Sequence, residues 1–341
     1  MIPGPSESTG PQPPEPRSRT TIEAERRPTD LTRRRIVVTG GAGFLGTAVC
    51  RVLEQRGVPA EQVIVPRREA FDLTCESAVE RLYDNARPDV VIHLAAEVGG
   101  IGANRAAPGR FFYANMAMGL HLVEHARRRG VEKFVHTGTV CAYPRDCPVP
   151  FREDDLWNGF PEVTNAPYGI AKKSLFVMLD AYRRQYGLGS AVVVPVNLYG
   201  PGDNFDPATS HVIPALIRRC EEARLTGLPE IVCWGSGTAT REFLHVEDAA
   251  EAVVRAAELV DEPLPINLGG GQEIAIRALV AKVAEGCGYR GRIVWDRSKP
   301  DGQPRRGLDI SRARSMLGWQ PVRAFDRGLT ETILWWREQV G

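Results

Sequence analysis

The chain has 341 residues, and its 43 Lys and Arg nearly balance 42 Asp and Glu, leaving a formal net charge of +1. That balance argues against partners such as nucleic acid or anionic membranes, because both demand a basic excess. Apolar residues make up 43% of the chain, which is ordinary for a globular protein with one large α/β domain or two intimate ones. No apolar run approaches the ~18 residues that a membrane span requires.

The seven cysteines are scattered without paired spacing, which gives little support to a disulfide scaffold or a zinc ribbon. An odd number of cysteines in a chain of this size fits a reducing compartment, and no charged-then-apolar leader opens the sequence. We therefore expect a cytoplasmic protein without a metal site.

Residues 1–31 are rich in Pro, Ser, Glu and Arg and nearly free of large apolar side chains. Such a segment cannot bury enough surface to offset the entropy lost on ordering. We predict a disordered tail, which fits a dispensable extension better than an interaction arm.

Beyond the tail, short apolar runs alternate with stretches of helical periodicity. The runs lie at 33–40, 63–66, 89–96, 133–138, 190–197 and 230–235, and the helical stretches at 44–56, 76–86, 110–129, 168–186 and 246–259. This alternation is typical of an α/β fold, here a Rossmann-type doubly wound parallel sheet with helices on both faces. We assign 32–197 and 230–265 to that cofactor-binding domain. The less regular segments 198–229 and 266–341 predict a smaller C-terminal lobe for the substrate.

The first run leads into a glycine-rich turn, in which Gly40, Gly43 and Gly46 are spaced G-x-x-G-x-x-G. In dinucleotide-binding folds the first glycine permits the tight turn, the second admits a pyrophosphate, and the third lets the helix pack closely. The triplet lies between a strand and a helix that opens with Phe44 and Leu45. We therefore predict a dinucleotide site rather than a plain glycine-rich turn.

The second strand ends in Val65-Pro66-Arg67-Arg68, where NAD-preferring folds usually place an acid on the adenosine ribose. Two guanidinium groups at this point suit a 2′-phosphate, so we predict NADP(H) as the cofactor. The alternative is that Arg67 and Arg68 are solvated loop charges. The other positions predicted to lie against the cofactor are Asp72, Leu73, Leu94, Ala95 and Ala96.

A candidate acid–base pair follows, because Tyr168 and Lys172 are four residues apart and share one helix face. A nearby ammonium group favours tyrosinate, so we expect the pKa of Tyr168 to be lowered. Thr139, which follows a sheet strand, is expected to hydrogen-bond the same carbonyl oxygen as Tyr168. Together these residues resemble the Ser/Thr–Tyr–Lys set of the extended short-chain dehydrogenase/reductase superfamily, in which Tyr168 and Lys172 would also contact the cofactor.

Longer blocks of sequence narrow the resemblance to one family. They are Gly138-Thr139-Val140-Cys141-Ala142-Tyr143-Pro144, Asn197-Leu198-Tyr199-Gly200-Pro201-Gly202-Asp203-Asn204-Phe205, Ser210-His211-Val212-Ile213-Pro214, Trp234-Gly235-Ser236-Gly237 and Asp301-Gly302-Gln303-Pro304-Arg305-Arg306. From about residue 35 to 320 the chain resembles the GDP-L-fucose synthase family, which are GDP-4-keto-6-deoxy-D-mannose 3,5-epimerase/4-reductases.

The resemblance implies epimerisation at C3 and C5 of a GDP-4-keto-6-deoxy-hexose, followed by NADPH-dependent reduction at C4. The family's acid–base pair falls on Cys141 and His211, whose thiol and imidazole can exchange protons near neutral pH. Thr139, Tyr168 and Lys172 complete the implied catalytic set. The structural alternatives are a small buried apolar side chain at Cys141 and a helix-capping or packing role for His211.

Substrate recognition is expected to need cations for the diphosphate and further side chains around the sugar and base, although each arginine could equally be solvated. The predicted substrate-binding residues are Asn165, Asn197, Val212, Arg219, Trp234, Arg241 and Arg305. Glu97 departs from the family pattern, which commonly has lysine at this position. The reversed charge leaves a different sugar or nucleotide open.

Two alternatives remain open for the activity. One is a nucleotide-sugar epimerase of the same fold that retains its NAD(P) and acts on another GDP- or NDP-sugar. The other is a non-catalytic nucleotide-binding protein, against which the intact Thr139, Tyr168 and Lys172 argue. Family members commonly dimerise through two helices, here 110–129 and 168–186, so we also predict a homodimer.

Overall fold

The computed structural model of the protein describes residues 28–99, 101–207, 209–299 and 301–340. The strands of this part of the chain are β1 (Ile36–Thr39), β2 (Val63–Ile64), β3 (Val90–His93), β4 (Lys133–Thr137), β5 (Gly189–Pro195), β6 (Asn197–Tyr199), β7 (Glu230–Trp234), β8 (Thr240–His245), β9 (Pro265–Leu268), β10 (Glu273–Ala275) and β11 (Arg292–Asp296). Six of them form one parallel sheet in the order β2-β1-β3-β4-β5-β9. Every residue of β1, β3 and β4 is buried, as expected for strands covered on both faces.

The helices are α1 (Phe44–Gln55), α2 (Glu76–Ala86), α3 (Ile101–Ala106), α4 (Pro108–Arg128), α5 (Ala166–Tyr186), α6 (Val212–Thr226), α7 (Val246–Leu259), α8 (Ile276–Cys287), α9 (Ser311–Leu317) and α10 (Phe325–Val340). α1 and α7 pack together and are linked by the ion pair of Arg56 with Glu258. α2 packs on α4, where the Tyr83 hydroxyl donates to the Leu122 carbonyl, and α4 packs on α5. These two groups of helices give the doubly wound α/β fold that the sequence predicts.

The strand order places a crevice at the carboxyl end of the sheet. β2 and β3 flank β1 on opposite sides, so the chain reverses its direction of winding between β1 and β3. Ligands of doubly wound sheets bind at such a switch point. The glycine-rich turn after Thr39 and the segment after His93 both lie there, since Thr39 and His93 are paired in register.

A second, smaller core lies outside the six-stranded sheet. It is built around the sheets β10-β8-β6 and β11-β7 together with α6, α8 and α10. The expectation that 230–235 belongs to the main sheet is wrong, because β7 pairs in parallel with β11. The chain instead returns to the main sheet at β9, which crosses the predicted boundary at residue 265 and continues into the segment 266–341 that we assigned to the smaller lobe. Apolar runs of similar length do not reveal which strand each one pairs with, which explains why the run 230–235 was expected in the main sheet.

The predicted tail is shorter than 31 residues. The Thr29 N–H donates to the Glu258 carbonyl at 2.7 Å, Asp30 caps the turn Leu31–Arg33, and Leu31 is buried in the main core. Residues 28–31 are therefore part of the folded body. The prediction of disorder for 1–27 lies outside the described residues.

Candidate active site

The glycine-rich turn between β1 and α1 is closed by backbone contacts that tolerate no side chain. Gly40 has a φ of +72°, and a Cβ placed on it would lie 2.8 Å from the Ala95 nitrogen. A Cβ on Gly46 would lie 2.0 Å from the Gly40 carbonyl oxygen. Gly43 is the N-cap of α1, so the turn ends at a helix N-terminus, where backbone N–H groups favour phosphate. This cradle, which one Cβ would fill, fits a dinucleotide pyrophosphate.

Replacing Gly46 with alanine is expected to weaken dinucleotide binding at least about tenfold, because the backbone of the turn must move to relieve the 2.0 Å contact. The measurement is a fluorescence titration of the purified protein with NADPH. Gly109→Ala is the matched control, since a Cβ at Gly109 meets no atom within 4 Å. Equal affinities for the two variants would contradict the role of the cradle.

The residues predicted to lie along the adenosine half of the cofactor follow β2 and β3. Arg67 and Arg68 are both exposed, and the Arg68 guanidinium lies 3.9 Å from the Glu97 carboxylate. Glu97 also pairs with Arg110 at 2.6 Å, so its reversed charge is balanced by two cations. Their contact with a cofactor stays a prediction.

The other residues predicted on the adenosine side differ in how much free surface they present to a ligand. The Asp72 carboxylate accepts the N–H and hydroxyl of Thr74, which lowers its pKa and occupies one of its oxygens. Leu73 is buried, whereas Leu94, Ala95 and Ala96 are half-buried beside the glycine turn. Leu94, Ala95 and Ala96 therefore keep the accessible surface that contact with a cofactor requires.

Three of the predicted catalytic residues meet where β4 and α5 come together. Thr139 caps the short turn Val140–Ala142, and its hydroxyl accepts the Cys141 N–H at 3.2 Å. Tyr168, in the first turn of α5, is buried and shares a hydrogen bond with Thr139. Gly169 makes the approach possible, because a Cβ there would lie 2.3 Å from the Cys141 carbonyl oxygen. Thr139, Cys141 and Tyr168 thus lie close together.

The pKa of Tyr168 moves opposite to our expectation. Burial raises it most and the neighbouring Cys141 charge raises it further, while the hydrogen bond from Thr139 acts in the other direction. Lys172 is fully buried, and burial lowers the pKa of its ammonium group to about 7. The prediction that Lys172 lowers the pKa of Tyr168 is wrong for this arrangement. The i, i+4 spacing identifies the shared face but not the desolvation of both groups.

Two buried histidines of the sheet lie near Lys172. His93 and His136 are paired in register on β3 and β4, and their rings stack 5.6 Å apart. His93 Nδ1 lies 2.8 Å from the Thr39 hydroxyl, and His136 Nε2 lies 3.2 Å from the Lys172 carbonyl oxygen. Burial, and then the charge of Lys172, lower both pKa values well below the usual range.

The two adjacent arginines of the C-terminal loop, Arg305 and Arg306, differ in burial. Arg305 is exposed and paired with Glu273 at 2.6 Å, away from Cys141. Its neighbour Arg306 is buried instead, with Nη1 4.0 Å from the Cys141 sulfur. Adjacent arginines carry no sequence signal that tells which one points inward. Arg241 is half-buried, and burial followed by repulsion from Arg306 lowers its pKa to about 10.

His211 is the N-cap residue of α6 but makes no side-chain capping bond. His211 is exposed, although desolvation by the surrounding residues lowers its pKa. The capping alternative therefore loses support, while the pairing of His211 with Cys141 stays a prediction.

The remaining predicted substrate residues spread over the smaller lobe and the start of α5. The Asn197 amide donates to the Glu242 carbonyl at 2.9 Å, and Arg219 donates to the Val232 carbonyl at 2.6 Å. Trp234 is 67% exposed beside Lys299, whose ammonium lies 5.7 Å from its ring centroid. Asn165 and Val212 are half-buried at the first turns of α5 and α6.

Comparison with known proteins places this geometry in a family. The sequence matches the NAD dependent epimerase/dehydratase family over residues 36–269. The chain belongs to this family. A nicotinamide dinucleotide is therefore the class of cofactor, in agreement with the glycine cradle, and the protein is an enzyme of the extended short-chain dehydrogenase/reductase type.

Individual relatives and solved structures confirm the resemblance and the fold predicted from the sequence. GDP-L-fucose synthase of Escherichia coli is 41% identical over 317 residues, covering 90% of this chain and 98% of that protein. The structure of a GDP-L-fucose synthetase from Naegleria fowleri bound to NADP superposes with a TM-score of 0.83 and 27% identity, over 92% of this chain and 98% of that one. A GDP-6-OMe-4-keto-L-xylo-heptose reductase from C. jejuni gives a TM-score of 0.84 and 26% identity, over 90% and 99%.

No helix in the described ranges combines the length and apolar character needed to cross a membrane.

Proposed function

We propose that the protein is a GDP-4-keto-6-deoxy-hexose 3,5-epimerase/4-reductase. The observation that carries the proposal is the clustering of Thr139, Cys141 and Tyr168 at the carboxyl end of the sheet. Two hydroxyls can hold the oxygen of a ketone, and a thiol beside them can exchange a proton on the adjacent carbon. The relatives named GDP-L-fucose synthase support a GDP-linked substrate.

The epimerisation half of this proposal uses side chains of the protein alone. Thr139 and Tyr168 hydrogen-bond the C4 oxygen and stabilise the negative charge that develops there when a proton leaves C3 or C5. Cys141 and His211 serve as base and acid on opposite faces of the sugar, because inversion requires removal on one face and return on the other. The raised pKa of Tyr168 keeps its proton in place during these steps.

The reduction half ends with a proton delivered by Tyr168. Bound NADPH would supply the hydride to C4. Tyr168 then donates its proton to the C4 alkoxide, and the buried ammonium of Lys172, whose pKa is about 7, restores it. His136 holds the backbone of Lys172 beneath the site.

We propose NADP(H) as the cofactor, held at its 2′-phosphate by Arg67 and Arg68. Arg68→Ala is expected to raise KM for NADPH about tenfold and to leave KM for NADH within twofold, because only NADPH carries the phosphate. The measurement is initial-rate kinetics with each cofactor. Glu69→Ala, an exposed neighbour of Arg68, is the control. An equal loss with both cofactors would contradict the assignment.

Substrate recognition is proposed to rest on the cations and ring at the cleft mouth. Arg241 and Arg306 together offer two guanidinium groups to a diphosphate, and Trp234 offers an exposed ring face to a base. The rest of the proposed wall of the substrate site is formed by Arg219, Asn165, Asn197 and Val212. Arg305 lies outside this wall.

The test of the proposed function compares nucleotides. The purified protein is incubated with NADPH and with GDP-, UDP- and dTDP-linked 4-keto-6-deoxy-hexoses, and NADPH absorbance is followed. We expect kcat/KM to be at least about tenfold higher for the GDP-linked sugar. A preference of NADPH oxidation for the UDP- or dTDP-linked sugar would assign that sugar as the substrate instead. Proton exchange without NADPH oxidation would identify an epimerase that retains its cofactor.

We further propose a cytoplasmic homodimer that associates through α4 and α5. Their outer surfaces expose Phe112, Tyr113, Leu120 and Val177, between 39% and 65% each. All seven cysteines are free thiols, which supports a reducing compartment. Light scattering on the eluting protein should give twice the mass of one chain. The Leu120→Glu variant should elute with the mass of a single chain.

A further inference from the structure

Residues 301–308 form a loop that connects the smaller lobe to the main domain, and we call it the bridging loop. On the side of the smaller lobe, the Thr240 N–H of β8 donates to the Pro304 carbonyl at 2.9 Å. On the side of the main domain, the Gln303 amide donates to the Arg145 carbonyl at 2.7 Å. The bridging loop is thus held from both sides.

Arg306 is the residue of the bridging loop that reaches the candidate site. It is only 9% exposed, and Nη1 lies 4.0 Å from the Cys141 sulfur. Nε and Nη2 donate to the Gln303 side-chain oxygen, at 3.3 and 3.1 Å. Because Gln303 belongs to the same loop, the place of the guanidinium depends on the course of the loop backbone.

Glu242 on β8 is a buried carboxylate that has no part in the proposed chemistry. It is 2% exposed, and its two oxygens accept different backbone N–H groups, from Gly271 at 2.6 Å and from Leu308 at 2.7 Å. Hydrogen bonds from N–H groups to a carboxylate are stronger than those between neutral groups. Glu242 therefore joins β8 to the turn after β9 and to the end of the bridging loop.

The tether at Leu308 acts two residues beyond Arg306, so it restrains the backbone next to the buried guanidinium. The acid directly opposite Glu242 behaves differently. Glu273 is paired with Glu242 in register on β10, but its carboxylate binds the exposed Arg305 side chain at 2.6 Å. Of these two facing acids, Glu242 holds the loop backbone and Glu273 holds a side chain outside the proposed substrate site.

We propose that Glu242 is a positioning residue for substrate binding, which holds the bridging loop so that Arg306 meets the diphosphate of the sugar nucleotide. Glu242 acts through Arg306 and not on the reacting atoms. Loss of the tether should therefore weaken substrate binding and leave the chemistry of Thr139, Cys141 and Tyr168 intact. The inference rests on the proposed function and deepens it.

The kinetic test separates binding from chemistry. Glu242→Gln keeps the shape of the side chain but replaces one acceptor oxygen with an NH2 donor, so it cannot accept both N–H groups. We expect KM for the GDP-linked 4-keto-6-deoxy-hexose to rise about tenfold, with kcat and the Kd of NADPH within about twofold of wild type. Glu273→Gln is the matched control and should leave all three constants unchanged.

A double variant shows whether Glu242 acts through Arg306. Arg306→Gln alone should raise KM at least about tenfold, because it removes a cation from the diphosphate. Adding Glu242→Gln to it should raise KM by less than about a further twofold, since no guanidinium is left to position. An independent structural effect of Glu242 would instead multiply the two increases.

Hydrogen exchange tests the tether without a sugar nucleotide. The Leu308 amide should exchange at least about tenfold faster in Glu242→Gln than in the wild-type protein, and at the wild-type rate in Glu273→Gln. The measurement is mass spectrometry of the peptide that contains Leu308. If Glu242→Gln does not fold, Glu242→Asp keeps the charge on a side chain one methylene shorter and should change exchange and KM in the same directions.

An unchanged Leu308 exchange rate or an unchanged KM in the folded Glu242 variant would overturn the proposal. So would increases that multiply in the double variant. A wild-type protein that turns over no GDP-linked sugar would instead reject the proposed function and with it the substrate role of Glu242. That outcome is distinguishable, because it affects every variant alike and leaves the difference in Leu308 exchange in place.

Discussion

Replacing Tyr168 with phenylalanine should lower kcat for NADPH oxidation about 10³-fold, within the range that a positioned general acid contributes. The change removes one oxygen atom from a buried side chain and leaves its ring in place. The C4 alkoxide then has no proton donor except water, which the burial of Tyr168 keeps out. Steady-state kinetics at saturating substrate, with NADPH affinity measured separately, is the appropriate measurement.

The specificity of that effect is checked at a second tyrosine. Tyr113 is 65% exposed on α4, and Tyr113→Phe should retain full activity. NADPH affinity of the Tyr168→Phe protein should stay within about threefold, since the ring and Lys172 remain. A variant that kept more than about a tenth of the rate would assign the proton to another group.

Replacing Cys141 with serine should abolish proton exchange at C3 and C5 while NADPH oxidation continues on the unepimerised ketone. Serine keeps the shape of the side chain, but its hydroxyl is a far weaker acid than a thiol and cannot serve as the base near neutral pH. We expect exchange to fall by about 10³-fold and oxidation by less than tenfold. The measurement follows deuterium from D2O into the sugar by NMR.

A nearby cysteine provides the control for this substitution. Cys147 is half-buried six residues further on, and burial raises its pKa to about 11, so it is a poor proton acceptor. Cys147→Ser should leave both exchange and oxidation unchanged. Equal loss of exchange and oxidation in Cys141→Ser would instead indicate a binding or packing role for Cys141.

The parts of the fold that sequence analysis predicts correctly depend on local signals. Apolar runs and helical periodicity identify the parallel sheet, and the glycine spacing identifies the turn whose Gly46 admits no Cβ. The expectation that 230–235 belongs to the main sheet is wrong, since this strand pairs with β11 and pairing between distant strands leaves no local pattern. Leu31 was placed in the tail because one apolar residue among polar ones does not reveal its burial.

The candidate site shows the same division. Thr139, Cys141 and Tyr168 can be found from motifs, and the structure brings them together. The sequence offers Arg305 and Arg306 side by side, and only the three-dimensional course of the loop decides that Arg306 is the buried guanidinium. The raised pKa of Tyr168 likewise follows from desolvation, which sequence spacing does not contain.

The most direct test of the account is incubation with GDP-4-keto-6-deoxy-mannose in D2O, with and without NADPH. We predict deuterium at both C3 and C5 without NADPH, and a C4-reduced GDP-sugar labelled at both carbons when NADPH is present. Reduction without label at either carbon would contradict the epimerase half and leave a simple 4-ketoreductase.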